Sequence, residues 1–513
     1  DRSPSRGLGD VYKRQQQDRG KRLLQWNIIV SMLSQVLSLV INLISKRVIC
    51  LYLNVEYLGL QSLYSNFCDV LSFAYFGAGT AMLFSFYGPL ARGDRERLAA
   101  IYKQYDSIYK KMTWTVLGIG TLTTIFAVFS VNASISDVEV AVTYLTFMLS
   151  VVLYNRHMVR NYFIQADQRR YFVAAVTGGV DASALVIEIL LLKFFRSYEA
   201  FVICILVKNI LINAIFGRYL KTRYGYLFHK SGELEKEEAD TIRSNVSDMV
   251  MYRFGKVLIS NTDNIFISRF ISTAMVGIYS NYQFIIAGIT SLIAAFYEAI
   301  TARVGQMMSV SERENQYNGF QFYSFINSWM AGATIVCFYY LVQDFIKIWM
   351  GSVELLSRDV IIVIIVNYYL EICRSATKMY RESAGLFKNI KRMILIKGGL
   401  NIVLSYIMGK IWGLWGILFA TTIASAVTLF WYEPLIVYKY FKKSFMNEVY
   451  YQFITLLQMA VSLFVTGMAV RALPDGGILY FLLKAAVCGT VCNLCYLVFY
   501  LIFRQKMKRC SGT

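Results

Sequence analysis

Apolar residues along this chain fall in blocks of about twenty, separated by short polar stretches. Twenty residues at 1.5 Å each is the length a helix needs to cross a hydrocarbon core of roughly 30 Å. A soluble chain of this size would instead show amphipathic segments of about ten to fifteen residues. The blocks predict an all-α integral membrane fold with about fourteen spans. They are expected over 27–50, 58–86, 113–134, 140–160, 171–192, 199–219, 249–270, 276–300, 323–350, 359–378, 393–409, 412–438, 449–470 and 477–502. Between spans 2 and 3, Leu98, Ile101, Tyr105, Ile108 and Tyr109 recur at helical spacing among charges, so Arg92–Met112 is expected to lie on the membrane face.

Loop charge orients these spans. The N-terminus, the even-numbered connections and the C-terminus carry about 33 basic residues, against about 5 in the odd-numbered connections. Both termini and the larger loops are therefore expected in the cytoplasm, and the short connections outside. The regular alternation also supports the span count, because a missed helix would scramble the bias downstream.

A weak internal repeat divides the chain. Leu58-Gly59-Leu60 through Tyr64-Ser65-Asn66 opens span 2, and Val276-Gly277-Ile278-Tyr279-Ser280-Asn281-Tyr282 opens span 8. Six spans separate the two, an even number, so the repeats run parallel. Two six-helix lobes about a central cavity are expected, with an appended C-terminal pair. The boundaries read as an N-terminal lobe over 16–219, a cytoplasmic connection over 220–248, a C-terminal lobe over 249–438, and the last pair with its tail over 439–513. Residues 1–15, DRSPSRGLGDVYKRQ, read as translated sequencing-adapter sequence and stay outside fold reasoning. A signal peptide is not expected, since the first apolar block is too long and no alanine precedes Ala74.

Composition agrees with this class and narrows the function. Of 513 residues, 57% are hydrophobic and 16% charged, against about 25% charged in a typical soluble domain. The net charge of +20 would suggest a nucleic-acid partner in a soluble protein. Here the basic residues sit in loops on one side of the spans, so no nucleic acid is expected. Nine cysteines are scattered, mostly in apolar blocks, and there are only two histidines, His157 and His229. No metal centre, cofactor or His-based triad is expected. The absence of a GxxxxGK[ST] loop argues against a built-in ATPase. The short outer loops argue against an enzyme of membrane glycan synthesis, which stays the alternative of a different class.

Several motifs resemble a known family. Glu56-Tyr57-Leu58-Gly59-Leu60, Asn66, Gly77-Ala78-Gly79 and Tyr87-Gly88-Pro89-Leu90-Ala91 resemble the bacterial polysaccharide exporters, the Wzx-type flippases of lipid-linked oligosaccharides. So does Thr262-Asp263-Asn264-Ile265-Phe266-Ile267-Ser268 with the run from Val276 to Tyr282. That family lies in the multidrug/oligosaccharidyl-lipid/polysaccharide exporter superfamily. The resemblance covers nearly the whole chain in span count and topology. One departure is Ala74-Tyr75-Phe76, where many relatives carry an acidic residue before the glycine pair. The resemblance implies a V-shaped, MATE-like arrangement and alternating access in the bacterial cytoplasmic membrane. It also implies a polyprenyl pyrophosphate-sugar substrate, a lipid environment and polysaccharide-assembly proteins as partners. A multidrug or cation antiporter of the same superfamily is the alternative.

Charges at membrane depth are costly and so become candidates. Basic residues outnumber acidic ones inside the expected spans, a balance that suits a pyrophosphate rather than a cationic drug. Candidate pyrophosphate ligands are Arg47, Arg253, Lys256, Arg374 and Lys397. Span 7 carries Arg253, Lys256, Ser260 and Asp263 at spacings of three and four, hence on one face. That face is either a cavity wall or a seam between helices. Arg47 lies near a span end, where a long side chain can snorkel. Arg374 stands three residues from Glu371, so a helix-surface pair is equally open. Asp181 and Lys208 lie at similar depth on adjacent spans. They are expected to pair, either structurally or, with Asp263, as an ion-coupling group.

Overall fold

The computed structural model describes residues 33–228, 262–310, 312–351, 354–384, 386, 390–473 and 477–511, with a few residues of 26–30 and of 234–246. The chain divides into two compact units, Asp1–Val257 and Leu258–Thr513. Residues 1–15 and the segment 249–261, with Arg253 and Lys256, lie outside the described residues.

In the first unit the helices are α1 (Leu33–Tyr52), α2 (Val55–Arg92), α3 (Arg95–Ser130), α4 (Asp137–Arg156), α5 (Met158–Ala166), α6 (Arg170–Phe195) and α7 (Tyr198–Arg223). Local chemistry sets their ends. Asn54 accepts from the Glu56 and Tyr57 amides to start α2. Gly93, at φ 69°, ends that helix in the left-handed conformation, and Asp94 caps α3 through the Arg97 amide. Ser136 and Ser197 cap α4 and α7 in the same way.

The second unit holds α8 (Thr262–Phe270), α9 (Thr273–Val310), α10 (Arg313–Met350), α11 (Arg358–Ile372), α12 (Ser375–Ser383), α13 (Ile390–Val427), α14 (Leu429–Phe441), α15 (Met446–Arg471) and α16 (Gly477–Ser511). α13 is a hairpin rather than one rod, because Gly413 leaves the helical region at φ 59° and ψ −137°. Four residues before and three after, Gly409 and Gly416 let the limbs touch; a Cβ on Gly416 would lie 2.1 Å from the Met408 carbonyl oxygen. α10 is the hub, packed against α9, α11, α12, α15 and α16.

Eleven helical stretches among the described residues are long and apolar enough to cross a membrane. One of them, Arg392–Phe441, contains the Gly413 fold-back and so holds two expected spans. α2 occupies the place of span 2, and α8 is the described end of span 7. The chain is a multi-pass membrane protein of nearly all-helical structure.

Its polarity is inverted relative to a soluble bundle. Large apolar side chains face outward, as with Leu122, Ile125, Phe126 and Phe129 of α3. Buried polar groups tie helices together: Asn155 donates to Ser72 at 2.8 Å, and Asn209 to the Ser150 hydroxyl at 2.9 Å. Outside water, interhelical hydrogen bonds and close packing take over from hydrophobic burial as the glue. Gly332 of α10 shows the packing side, since a Cβ there would lie 1.7 Å from the Tyr496 hydroxyl of α16.

The structure differs from expectation over Arg92–Met112. This segment forms no separate surface helix but continues into span 3 as α3, 36 residues or about 54 Å long. Leu98, Ile101, Tyr105 and Tyr109 are buried in protein. The apolar stripe that suggested a lipid face is instead the packing face of a helix that projects beyond the bilayer.

Candidate functional site

Each unit carries its own charged cluster at membrane depth. In the first, α6 places Asp181 and Glu188 seven residues apart, hence on one helix face. Lys208 of α7 meets Asp181 at 3.0 Å. Glu188 is buried, accepts from Ser45 of α1 at 3.4 Å, and lies within electrostatic reach of Lys208. Arg196 and Ser197 alone separate α6 from α7, so the two helices are neighbours by necessity. The Asp181 and Lys208 side chains stay 30% and 22% exposed, which makes this an open pair.

The cluster in the second unit is tighter. The helix of span 10 breaks at Cys373 and Arg374, between α11 and α12. A break frees backbone carbonyls that lipid cannot satisfy. Asn327 of α10 meets this need: its amide donates to the Ile372 and Cys373 carbonyls at 3.0 and 2.9 Å, and Tyr297 donates to its oxygen at 2.8 Å. The break swings Arg374 inward. Its Nη1 donates to Glu433 Oε2 at 2.6 Å, its Nη2 to Glu371, and its Nε to the Leu370 carbonyl. Arg381 approaches the other oxygen of Glu433 at 3.4 Å and also pairs with Glu382 at 3.1 Å. Glu433 and both arginines are buried, whereas the Glu371 side chain is 60% exposed.

Lys397 of α13 is buried within electrostatic reach of Glu371, Arg374, Glu433 and Asp263. One turn on, Asn401 donates to Thr421 across the hairpin at 2.7 Å, and Thr421 donates to Asp263 of α8 at 3.0 Å. Thr262 completes this knot by donating to Asn401 at 3.2 Å. The hairpin at Gly413 is what brings Asn401 and Thr421 opposite each other.

The sequence-derived candidates thus separate into groups. Arg374, Lys397 and Asp263 converge in the second unit, and Asp181 meets Lys208 in the first. Arg47 is exposed on α1, five residues before the helix end. Arg253 and Lys256 lie outside the described residues. The helix-surface pair of Arg374 with Glu371 is present, and Glu433 adds a second partner. Sequence reasoning missed the roles of Glu433, Arg381, Asn327, Asn401 and Thr421. A glutamate beside Pro434 inside an apolar block was a signal for Glu433. Nothing in the sequence marked Asn327 as the cap of a distant helix break.

In a third feature, α15 buries Glu448, Gln452, Thr455, Gln458, Ser462 and Thr466, spaced three or four residues apart, against the rest of the unit. Gln452 donates to Glu448 at 2.7 Å and accepts from Tyr369 of α11 at 2.7 Å. Polar groups on this face and apolar ones outward fix how the C-terminal pair sits on the unit.

No protein-family model matches the chain, and no curated protein matches it. Solved structures do. The lipid II flippase MurJ, in an inward closed conformation, matches with a TM-score of 0.67 at 14% identity, over 93% of this chain and 100% of that one. An inward-facing MATE multidrug resistance transporter of the MOP superfamily matches with a TM-score of 0.60 at 11% identity, over 81% and 98%. A MOP superfamily transporter from Pyrococcus furiosus, described as having a binding pocket of reverse polarity, gives 0.52 at 12%, over 83% and 97%. At these identities the likeness is one of fold, and the chain has the fold of MurJ and the MATE transporters.

Proposed function

We propose that this protein flips lipid-linked oligosaccharide or polysaccharide repeat units across the bacterial cytoplasmic membrane by alternating access. The observation that carries the reading is coverage. The likeness to a lipid flippase extends over 93% of the chain, whereas the likeness to the MATE multidrug transporter and to the Pyrococcus furiosus MOP transporter stops at 81% and 83%. The chain's C-terminal pair, α15 and α16, is built into its unit through a buried polar face. A fold that carries such a pair suits a lipid-linked cargo better than a small cation.

On this reading Arg374 and Lys397, with Arg47, Arg253 and Lys256, hold the diphosphate. Arg374 is held in place by Glu433 and the Leu370 carbonyl, so its Nη2 can leave the exposed Glu371 for a phosphate oxygen without losing its anchor. A guanidinium fork matches phosphate oxygens in a way no amide does. Asp181, Lys208 and Asp263 serve as the ion-coupling groups, since an open pair at membrane depth can exchange a proton or sodium ion with water. Both termini face the cytoplasm by loop charge.

The test is transport in proteoliposomes, with a fluorescent lipid-linked saccharide in one arm and a cationic dye in the other. The flippase reading expects movement of the saccharide. Arg253→Gln is expected to weaken its affinity by about ten- to a hundredfold, as the loss of one or two charge-assisted bonds implies. Dye movement driven by an ion gradient, with the saccharide left in place, would convert the protein into an antiporter. Normal transport by a stable Arg253→Gln, Lys256→Gln double variant would remove span 7 from the binding site.

A further inference from the structure

We propose that the second unit carries a separate anion site, which holds the phosphate headgroup of an anionic lipid. A cavity of about 1180 Å³ opens where four helix ends meet: the ends of α10 and α15 and the starts of α11 and α16. Lys347, Arg358, Arg471 and Lys484 line it, and Asp344 is the one carboxylate among the described lining residues. Lys484 meets Asp344 at 2.7 Å, so that pair cancels. Lys347, Arg358 and Arg471 are exposed and have no carboxylate partner among the described residues, which leaves three positive charges facing one cavity.

Cations at helix ends often snorkel outward singly. Here they converge from three helices on one concavity, an arrangement that focuses field and concentrates an anion. The start of α11 adds to it. Ser357 and Arg358 line the cavity, α11 runs for 15 residues, and the Ser357 side chain makes no capping hydrogen bond, so the first amides of the helix remain available to an anion.

The walls point to a lipid rather than a free ion. Phe464, Met468 and Tyr480 also line the cavity and are 67%, 55% and 44% exposed on outward faces of α15 and α16. Acyl chains can lie along these side chains while the headgroup enters among the cations. Depth agrees, since Lys347 sits one turn inside the end of α10, where lipid phosphates lie in a spanning helix. Three uncompensated charges favour a net anionic headgroup over a zwitterionic one, whose amine they would repel. By loop charge this end faces outside, so the lipid comes from the outer leaflet. The site does not depend on what the protein transports.

The experiment uses the full chain in detergent, exposed to phosphatidylglycerol or phosphatidylcholine, with bound lipid counted by native mass spectrometry. Wild type is expected to retain phosphatidylglycerol at least tenfold better than phosphatidylcholine. The triple variant Lys347→Gln, Arg358→Gln, Arg471→Gln is expected to lose that preference, and the charge-preserving triple Lys347→Arg, Arg358→Lys, Arg471→Lys to keep it. Should the neutral triple fold poorly, Arg471→Gln alone, on the last turn of α15, is expected to lower the preference about threefold. Equal retention of the two lipids by wild type, or unchanged preference in the neutral variants, overturns the proposal. So does displacement of all bound lipid preference by millimolar inorganic phosphate, which would make this a site for a free anion.

Discussion

The two units break the same kind of helix and fill the break with opposite chemistry. In the first, α4 ends at Arg156, His157 stands at the break, and the nine-residue α5 follows. In the second, α11 ends at Ile372, Arg374 stands at the break, and the nine-residue α12 follows. His157 is buried between the rings of Tyr154 and Phe216, at 4.9 and 5.5 Å, and its neighbour Arg156 turns away to Asp106 at 2.7 Å. Arg374 instead turns inward to Glu433 and Glu371. A helix break needs its carbonyls satisfied and its side chains packed, and either an aromatic cage or an ion network can do that. The architecture is therefore repeated while the charge is not. The charged pair between α6 and α7 of the first unit is left open by comparison.

That contrast makes the largest expected effect a loss of Glu433. Glu433→Gln leaves two buried arginines without their shared carboxylate, and breaking a buried pair from one side costs about 3–5 kcal/mol. Thermal unfolding in detergent is expected to fall sharply, with little folded protein recovered. A Glu433→Gln protein as stable as wild type would mean the network is not what holds the break.

Asn327→Ala comes next. It strips the amide from two buried carbonyls, each an unsatisfied group worth about 1–3 kcal/mol. The loss is expected to appear as faster hydrogen exchange at the break between α11 and α12, with α4 and α5 unchanged. Equal loosening in both units would contradict the separate support drawn here.

The open pair of the first unit is expected to matter less. Neutralising Asp181 or Lys208 alone is expected to cost less than the loss of Glu433, because both side chains stay partly exposed whereas Glu433 is buried between two arginines. Exchanging the two residues is expected to restore part of that loss, whereas additive single effects would show no coupling. Smallest of all, Tyr64→Phe and Tyr282→Phe are expected to cost about 1 kcal/mol each, and similarly. Both tyrosines are fully buried, five residues after Gly59 and Gly277. Tyr64 donates to the Val140 carbonyl near the start of α4, and Tyr282 accepts from the Leu356 amide just before α11. Markedly unequal losses in the two would weaken the repeat as a physical correspondence.

Much of this was legible along the chain. Block length announced the spans, because a membrane requires about twenty apolar residues of every helix that crosses it. The repeat at Gly59 and Gly277 marked equivalent helices, and α2 and α9 are both 38 residues long. The pairing of Asp181 with Lys208 was readable because a short connection forces adjacency. Lys397, Asp263 and Arg374 stood out singly as charges in apolar blocks, since each costs free energy in lipid regardless of its neighbours.

Their partners were not readable. Glu433 lies 59 residues from Arg374, and Asn327 lies 46 residues before Cys373. Neither separation follows any helical period, so no local pattern connects them. Likewise, the stripe on Arg92–Met112 had the same spacing whether lipid or protein covered it, and only packing decided in favour of protein. Local sequence determines where a helix starts, stops and turns its apolar side, because those choices are settled within a few residues by capping and hydration. Which charge meets which, and which cations share one cavity, depends on how distant helices are laid against one another, and that is decided only when the whole unit packs.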